Sequence, residues 1–204
     1  LKGSTALSAR GAAVKGFCQF TKDHEFLLND VGELSIDPLL DFIESNPQEV
    51  FVIFGFTSIV WEFFLNKLLN KNIKVRNNSG ILIHGGGWKK LKDKKITRTE
   101  YNDLIKKTIN IQNVHNYYGM IEQTGSIFLE CEEGFFHPSI FSEVIVRNEN
   151  LESCKVGELG LIQVSSLLPL SYPGHNLLTE DLGSIQGLDD CACGRRGKYF
   201  LVEG

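Results

Sequence analysis

The stretch ILIHGGGWKKL, residues 81–91, is an apolar run that stops abruptly at a histidine, three glycines and a tryptophan. The segment GILIHG (80–85) has the apolar, β-branched composition of a buried strand. Glycines directly after a strand predict a turn at which a ligand can approach the backbone, since no side chain stands in the way. The organisation of the rest of the chain decides which ligand that would be.

On both sides of this stretch, strands and helices alternate. The predicted strands are EVFVIFGF (49–56), GILIHG (80–85) and VHNYYG (114–119). The predicted helices are IDPLLDFIESNP (36–47), SIVWEFFLNKLLNKN (58–72) and TRTEYNDLIKKTIN (97–110). The helix over 97–110 has two candidate N-cap residues, Thr97 and Thr99. Such alternation predicts a parallel-type α/β layer, which we assign to a first subdomain over residues 1–125.

After residue 125 the pattern changes to short strand-like runs separated by glycine, asparagine and proline. These runs are SIFLEC, SEVIVRN, ELGLIQVSS and LGSIQG. They predict a β-rich second subdomain over residues 126–204, with mixed or antiparallel pairing. The expected fold class is therefore α/β, with a parallel layer followed by a β-rich part.

Composition excludes several classes of function. The 204 residues carry a formal net charge of −4, which argues against a basic surface for sequence-independent nucleic-acid binding. No apolar run approaches the roughly 20 residues of a membrane-spanning helix. The five cysteines are an odd number, which fits a reducing compartment better than a disulfide framework and makes the cytoplasm the expected location.

The HGGG sequence is also typical of the oxyanion loop of serine hydrolases. Those enzymes need a nucleophile elbow, G-x-S-x-G, further along the chain. None of the serines here has glycine at both the −2 and +2 positions. A hydrolase is therefore the weakest of the functional hypotheses, because the nucleophile is missing.

Two further segments carry a resemblance. The segment NYYGMIEQTG (116–125) resembles the aromatic-Gly-x-x-Glu motif of the adenylate-forming superfamily, which includes acyl-CoA synthetases, luciferases and peptide-synthetase adenylation domains. The segment LLTEDLGSI (177–185) resembles that superfamily's Thr-Gly-Asp motif, and HGGGW lies where the superfamily has a glycine-rich turn. The three matches occur in the superfamily's order.

The resemblance implies roles for particular residues. Tyr118 and Gly119 would hold adenine, Glu122 would meet the Mg²⁺ bound to ATP and act in catalysis, and Asp181 with Thr179 would bind ribose. The planar ring of a tyrosine suits adenine, and a glutamate carboxylate suits Mg²⁺. An aspartate carboxylate can accept from both ribose hydroxyls. The glycines that would line the nucleotide and acyl pockets are Gly85, Gly86 and Gly87. The residues that would form the substrate pocket are His84, Trp88, Phe54 and Thr57.

The segment DDCACGRRGKYFLVEG (189–204) indicates a subgroup. Phenylacetate-CoA ligases and the LuxE-type acyl-protein synthetases carry a similar Cys-x-Cys-Gly-Arg segment before the interdomain hinge, and HGGGWKKL with YGMIEQTGSIFLEC is closer to the latter. The resemblance implies ATP-dependent activation of a fatty acid, with transfer to a thiol of a protein or of coenzyme A and an acyl reductase as partner. The chain would be the rear part of the large domain, ending at the hinge without the small C-terminal domain.

Departures from the pattern leave alternatives open. Ile121 replaces a threonine or serine that contacts the AMP phosphate in many relatives, and Thr124 is a candidate substitute. Glu180 replaces the glycine of the Thr-Gly-Asp motif. A phosphate-binding loop with the superfamily's pattern is absent, although residues 3–16 have a similar composition. A non-catalytic module that holds a nucleotide or a protein partner, and a phenylacetate-CoA ligase-like enzyme, are therefore the alternatives.

Four residues form a candidate metal site. Cys131, His137, Cys191 and Cys193 would make a Cys₃His set, which suits a tetrahedral and structural Zn²⁺. The alternative is four unligated side chains in a reducing compartment. The spacing of Cys191 and Cys193 is too tight for an unstrained disulfide.

Overall fold

The computed structural model describes residues 9–29, 33–47, 49–72, 75, 79–87, 96–170 and 173–203. The chain forms two compact units, Leu1–Val114 and His115–Gly204. The subdomain boundary near residue 125 stays a prediction. None of the helices in the described part combines the length and the apolar character that crossing a bilayer would need.

The first unit contains two helices before its first strand, α1 (Ala9–Cys18) and α2 (Asp37–Ser45). β1 (Phe51–Phe56) and β2 (Gly80–Gly85) pair in parallel, from Phe51 opposite Gly80 to Phe56 opposite Gly85. The predicted strands and the parallel layer are therefore confirmed. Because the pair is parallel and in register, the carboxyl ends of both strands lie at the same edge.

The helical segment after β1 is not uniform. It begins as α3 (Thr57–Ile59), continues as a π-helical segment (Val60–Leu65) and ends as α4 (Asn66–Asn70). Leu65 and Leu68 are fully buried, whereas Leu69 is 41% exposed and marks the solvent edge of the buried face. The wider i→i+5 turns of the π segment change the phase of α4 relative to α3.

α5 (Arg98–Ile109) has a complete capping box. The Thr97 hydroxyl accepts from the Glu100 backbone N–H, and the Glu100 carboxylate accepts from the Thr97 backbone N–H. The helix ends at Asn110 in the left-handed conformation. Of the two candidate caps, Thr97 is the one used, because a cap must lie where its oxygen can reach the first free N–H groups.

We expect Thr97→Ala to lower the free energy of unfolding by about 1 kcal/mol, since an N-cap hydroxyl contributes about that much. Urea denaturation followed by circular dichroism measures it. Thr99→Ala is the matched control, because Thr99 is an exposed residue inside the same helix and alanine favours helix there. An equal loss in both variants would contradict the role of the cap.

The second unit contains most of β3 (Asn113–Gly119), a 3₁₀ turn (Ile121–Gln123) and β4 (Ile127–Leu129), which pairs antiparallel with β3. A four-stranded antiparallel sheet follows in chain order. Its strands are β5 (Ser142–Arg147), β6 (Gly160–Ser166), β7 (Asn176–Leu188) and β8 (Lys198–Val202). The β-rich half is confirmed, but the sequence patterns did not predict β8 and predicted only the last part of β7.

Each unit has its own apolar core. In the first unit it includes Leu65, Leu82, Tyr101 and Ile105, all fully buried. In the second unit it includes Phe128, Val144, Ile162, Val164 and Phe200, of which Phe128 and Phe200 meet edge to face with ring centroids 5.6 Å apart. This second core supports the strands that carry the candidate site.

Candidate functional site

Tyr118 and Asp181, which are far apart in sequence, meet in the second unit. The Tyr118 hydroxyl donates to Oδ2 of Asp181 over 2.9 Å. The Tyr118 ring stacks on Phe128 at a centroid distance of 6.1 Å and meets the edge of Phe200. Burial, together with the charge of Asp181 and the hydrogen bond to it, raises the pKa of Tyr118. The phenol therefore stays protonated and acts as a donor at neutral pH.

Thr179 shapes the backbone that presents Asp181. In the pairing of β6 with β7, Leu161 lies opposite Leu182 and Gln163 lies opposite Leu178. Between these two pairs β6 has one residue, Ile162, and β7 has three, 179–181. The Thr179 hydroxyl closes this bulge by donating to the carbonyl of Ile162 over 2.8 Å. The same oxygen accepts from the Asp181 backbone N–H over 3.2 Å. The Thr-x-Asp segment is thus a β-bulge, which directs a side chain out of the ladder.

Glu180 occupies the place of the motif's glycine without backbone strain. The non-glycine residues with positive φ in the described part are Asn72, Asn110, Leu151 and Asp189. Glu180 is not among them, and its side chain is exposed. Since the bulge requires no left-handed residue at this position, a glutamate there leaves the position of Asp181 intact.

Glu122 lies on the 3₁₀ turn that follows β3, with its side chain exposed. Its neighbour Gln123 is fully buried and donates from Nε2 to the carbonyl of Val164 over 2.9 Å. Gln123 thereby fixes the turn to β6 and holds the preceding carboxylate at the surface. This anchor was missed from the sequence; the available signal was a polar residue directly after the motif glutamate.

Gly119 and Thr124 flank the same turn. A Cβ at Gly119 would come within 3.1 Å of the carbonyl oxygen of Ser126, so a side chain would disturb the pairing of β3 with β4. The Thr124 hydroxyl donates to the carbonyl of Ile121 over 3.1 Å. In this arrangement the hydroxyl hydrogen of Thr124 is used locally, while Ile121 itself is 51% exposed.

In the first unit, Thr57 and His84 form a buried pair at the carboxyl ends of β1 and β2. Both side chains are 1% exposed. The Thr57 hydroxyl donates to the carbonyl of Gly85 over 3.0 Å and lies 2.9 Å from Nδ1 of His84. A hydroxyl has one hydrogen, so while that hydrogen is donated to the Gly85 carbonyl, the Thr57 oxygen can only accept from Nδ1–H of His84. The imidazole ring also lies 5.0 Å from the ring of Tyr101.

The glycines after His84 differ in what they require. Gly86 and Gly87 have φ values of 88° and 72°, a region that residues with a Cβ rarely adopt. At Gly86 a Cβ would also lie 3.0 Å from the ring of Phe56, whereas at Gly87 it would meet nothing within 4 Å. Gly85 belongs to β2 and supplies the carbonyl that Thr57 binds.

Phe54 and Trp88 complete the predicted substrate pocket. The Phe54 ring stacks on Phe17 of α1 at a centroid distance of 4.0 Å. Trp88 lies outside the described residues. The pocket roles of these two residues, and those of Thr57, His84 and the three glycines, stay predictions.

The four predicted metal ligands lie together in the second unit. The ligand atoms of Cys131, His137, Cys191 and Cys193 all lie within 4.8 Å of one another. Sγ of Cys131 is 4.0 Å from Sγ of Cys191, and Sγ of Cys193 is 3.5 Å from Nε2 of His137. The five cysteines all lie in the described residues, and none of them is in a disulfide. The grouping predicted from the sequence is therefore present.

Two similar turns present the cysteines. The Cys131 carbonyl accepts from the N–H of Gly134, and the Cys191 carbonyl accepts from the N–H of Gly194. Both glycines have positive φ, which lets the chain reverse directly behind each cysteine. Burial lowers the pKa of His137, with a further contribution from the charge of Arg195. A neutral imidazole is the form that binds a metal.

The chain is similar in sequence to a described protein family and to a curated ligase. The sequence matches the family described as "Acyl-protein synthetase, LuxE" over residues 2–204. The long-chain-fatty-acid–luciferin-component ligase of Vibrio harveyi is 27% identical over 109 residues, which are 52% of this chain and 28% of that ligase.

Solved structures show the same fold at low identity. A long-chain-fatty-acid-CoA ligase from Archaeoglobus fulgidus matches with a TM-score of 0.58 and 14% identity, over 83% of this chain and 36% of the other. The O-succinylbenzoate coenzyme A synthetase of Bacillus subtilis, solved with ATP and magnesium ion, matches with a TM-score of 0.54 and 19% identity, over 83% and 34%. The chain thus spans about a third of these relatives, and the predicted fold class is confirmed.

Proposed function

Because the chain belongs to the LuxE family of acyl-protein synthetases, we propose that the protein activates a carboxylic acid with ATP and transfers the acyl group to a thiol. In the first step a carboxylate oxygen bonds to the α-phosphorus of ATP, and pyrophosphate leaves. In the second step a thiolate attacks the acyl carbonyl of the acyl-adenylate, and AMP leaves. The observation that carries this proposal is the family match over residues 2–204.

The described residues supply suitable groups for the nucleotide. Tyr118 offers an aromatic ring beside the carboxylate of Asp181, which would accept from the ribose hydroxyls. Glu122 offers an exposed carboxylate, the type of ligand that Mg²⁺ prefers. Mg²⁺ bound with ATP would neutralise charge on the phosphates. The chain's own contribution would be to hold the adenine base, the ribose and the carboxylate of the acid substrate in fixed positions before the reaction.

A long-chain fatty acid is the substrate we propose. The basis is the name of the Vibrio harveyi relative, a long-chain-fatty-acid–luciferin-component ligase. A protein is the proposed acceptor, since the family is described as acyl-protein synthetases. A cysteine thiol is the proposed accepting group, and an acyl reductase is the proposed partner. The cytoplasm is the proposed location, since all five cysteines are free.

The test of this function is carboxylate-dependent exchange of pyrophosphate into ATP by the full-length protein. Binding of ATP without exchange for any fatty acid would identify a non-catalytic module. Acyl transfer to coenzyme A but not to a protein thiol would favour the phenylacetate-CoA ligase-like alternative.

We expect Asp181→Asn to raise the KM for ATP in this exchange about tenfold or more. The reason is that the neutral amide replaces a charged acceptor of two ribose hydroxyls. Glu180→Gln is the matched control, because it removes an exposed carboxylate from the same bulge without touching Asp181. Equal KM values for the wild type and Asp181→Asn would remove the ribose assignment.

We also propose that Cys131, His137, Cys191 and Cys193 bind one structural Zn²⁺. Ligand atoms around tetrahedral zinc, with bonds of about 2.3 Å to sulfur and 2.0–2.1 Å to nitrogen, lie about 3.5–3.8 Å apart. The observed separations of 4.0 Å and 3.5 Å are close to these values. The four protein ligands would fill the tetrahedron, so the metal would have no open position for catalysis.

A further inference from the structure

We propose that the hydroxyl of Tyr118 positions the carboxylate of Asp181 and thereby gives the site its preference for ribose over sugars that lack the 2′ and 3′ hydroxyls. This inference rests on the proposed function, because it concerns the nucleotide that the same site would bind. It assigns Tyr118 a second task beside that of offering a ring to adenine.

The task of binding a base does not require a hydroxyl. Any aromatic ring gives adenine a flat surface, and a phenylalanine would do so as well. Here the hydroxyl instead donates to Oδ2 of Asp181 over 2.9 Å. Because burial raises the pKa of Tyr118, with the charge of Asp181 acting in the same direction, the hydroxyl keeps its proton and the donor persists at neutral pH.

The backbone and the side chain of Asp181 are held by different residues. Thr179 fixes the backbone, through its bonds to the Ile162 carbonyl and to the Asp181 N–H. It does not fix the rotation of the carboxylate about its own side-chain bonds. Tyr118, on a different strand, restrains that rotation. The carboxylate therefore has a defined orientation before any nucleotide binds, which lowers the entropy lost on binding.

This hydrogen bond leaves the carboxylate able to bind a diol. An ionised carboxylate has about four acceptor positions on its two oxygens. Tyr118 occupies one on Oδ2, so Oδ1 and the second position on Oδ2 remain for two vicinal hydroxyls. A nucleotide without these hydroxyls gains nothing from an oriented carboxylate, so the effect of Tyr118 should depend on the sugar.

The position of Tyr118 is itself secured by the core of the second unit. Its ring contacts Phe128, Phe136 and Phe200 at centroid distances of 6.1, 6.2 and 6.3 Å. These contacts involve the ring and would persist in a phenylalanine. Tyr118→Phe therefore removes the hydrogen bond to Asp181, together with the interaction of the hydroxyl with the Thr179 side chain, while keeping the packing and the surface offered to adenine.

The experiment measures the dissociation constants of AMP and of 2′,3′-dideoxyadenosine monophosphate by calorimetry, with the full-length protein. We expect Tyr118→Phe to weaken AMP binding about three- to tenfold, the usual effect of one hydrogen bond, and to leave the dideoxy analogue unchanged. In an Asp181→Ala background, Tyr118→Phe should have no further effect on AMP. Tyr117→Phe removes a hydroxyl from the same strand and is the matched control.

Three results would overturn the inference. An equal loss of both nucleotides in Tyr118→Phe would indicate a merely structural role, and unchanged AMP binding would show that the hydroxyl does not matter. A further loss in the Asp181→Ala background would show that Tyr118 acts through another group. If the wild type binds neither nucleotide, the proposed function fails as well, and that outcome is distinct from the other three.

Discussion

Cys131→Ser is expected to abolish stoichiometric zinc binding and to lower the free energy of unfolding of the protein by about 3 kcal/mol or more. In small zinc domains the metal contributes on the order of 10 kcal/mol, because it binds the folded chain and not the unfolded one. The second unit has an apolar core of its own, so we expect a smaller effect here. A serine hydroxyl does not replace a thiolate as a zinc ligand.

Elemental analysis of protein purified without chelator, together with thermal unfolding, measures this effect. Cys154→Ser is the matched control, since Cys154 lies in the same unit and outside the four-residue cluster. A strong chelator should lower the melting temperature of the wild type and of Cys154→Ser, but not that of Cys131→Ser. Wild-type protein without zinc, or equal zinc content in Cys131→Ser, would contradict the proposal.

The chelator separates the loss of a metal from the loss of packing. Cys131 is buried, and any substitution of a buried thiol disturbs its neighbours. That disturbance would be present with or without chelator. The metal's contribution is therefore the difference between the wild type with and without chelator. The difference between the chelated wild type and Cys131→Ser is the contribution of packing.

Elements with a strong local pattern could be predicted from the sequence. β1 and β2 are continuous apolar runs bounded by proline, glycine or a charged turn, and α5 has its cap, its charged face and its terminal asparagine in the chain itself. β8 (Lys198–Val202) lacks such a pattern. It follows the turn that contains Gly194 and Gly197, and it is a strand because it pairs with β7. That pairing depends on the tertiary structure and not on the local sequence.

In the candidate site, the structure of the polar segment 179–181 likewise could not be predicted from the local sequence. Its composition, Thr-Glu-Asp, predicts a turn, yet it lies within β7 as a bulge. What overrides the local preference is the hydrogen bond from Thr179 to the carbonyl of Ile162 on the adjacent strand. The contact of Tyr118 with Asp181 could not be predicted either, because it requires β3 and β7 to be placed in space.

The cysteine cluster could be predicted because its chemistry limits the choices. Thiols and an imidazole are the preferred ligands of zinc, and few such residues occur in the chain. The direction of the hydrogen bond between Thr57 and His84, by contrast, follows only from the further contact of the Thr57 hydroxyl with the Gly85 carbonyl. The sequence shows which residue types can bind a metal. The direction of the hydrogen bond between Thr57 and His84 depends in addition on a third group, the Gly85 carbonyl.

Glu122→Gln is expected to reduce the rate of carboxylate-dependent pyrophosphate exchange at least about 100-fold, the effect typical of removing one group that stabilises charge in the transition state. The amide has the same shape but is a much weaker ligand for Mg²⁺ than a carboxylate. The affinity for AMP without Mg²⁺ should be unchanged, since Tyr118 and Asp181 would hold the nucleoside. Glu149→Gln, at an exposed turn, is the matched control.

The position of Glu122 depends on its buried neighbour, which allows a second variant to test the same assignment. Gln123 fixes the turn to β6 through the Val164 carbonyl, so Gln123→Leu would free the turn while leaving the carboxylate in the chain. We expect this variant to lose exchange activity less than Glu122→Gln and to regain part of it at high Mg²⁺, because a mobile carboxylate can still bind the cation. Glu122→Gln should not respond to Mg²⁺ in this way. Full exchange activity in Glu122→Gln would show that another group meets the metal, and the turn after β3 would then serve only to place Tyr118.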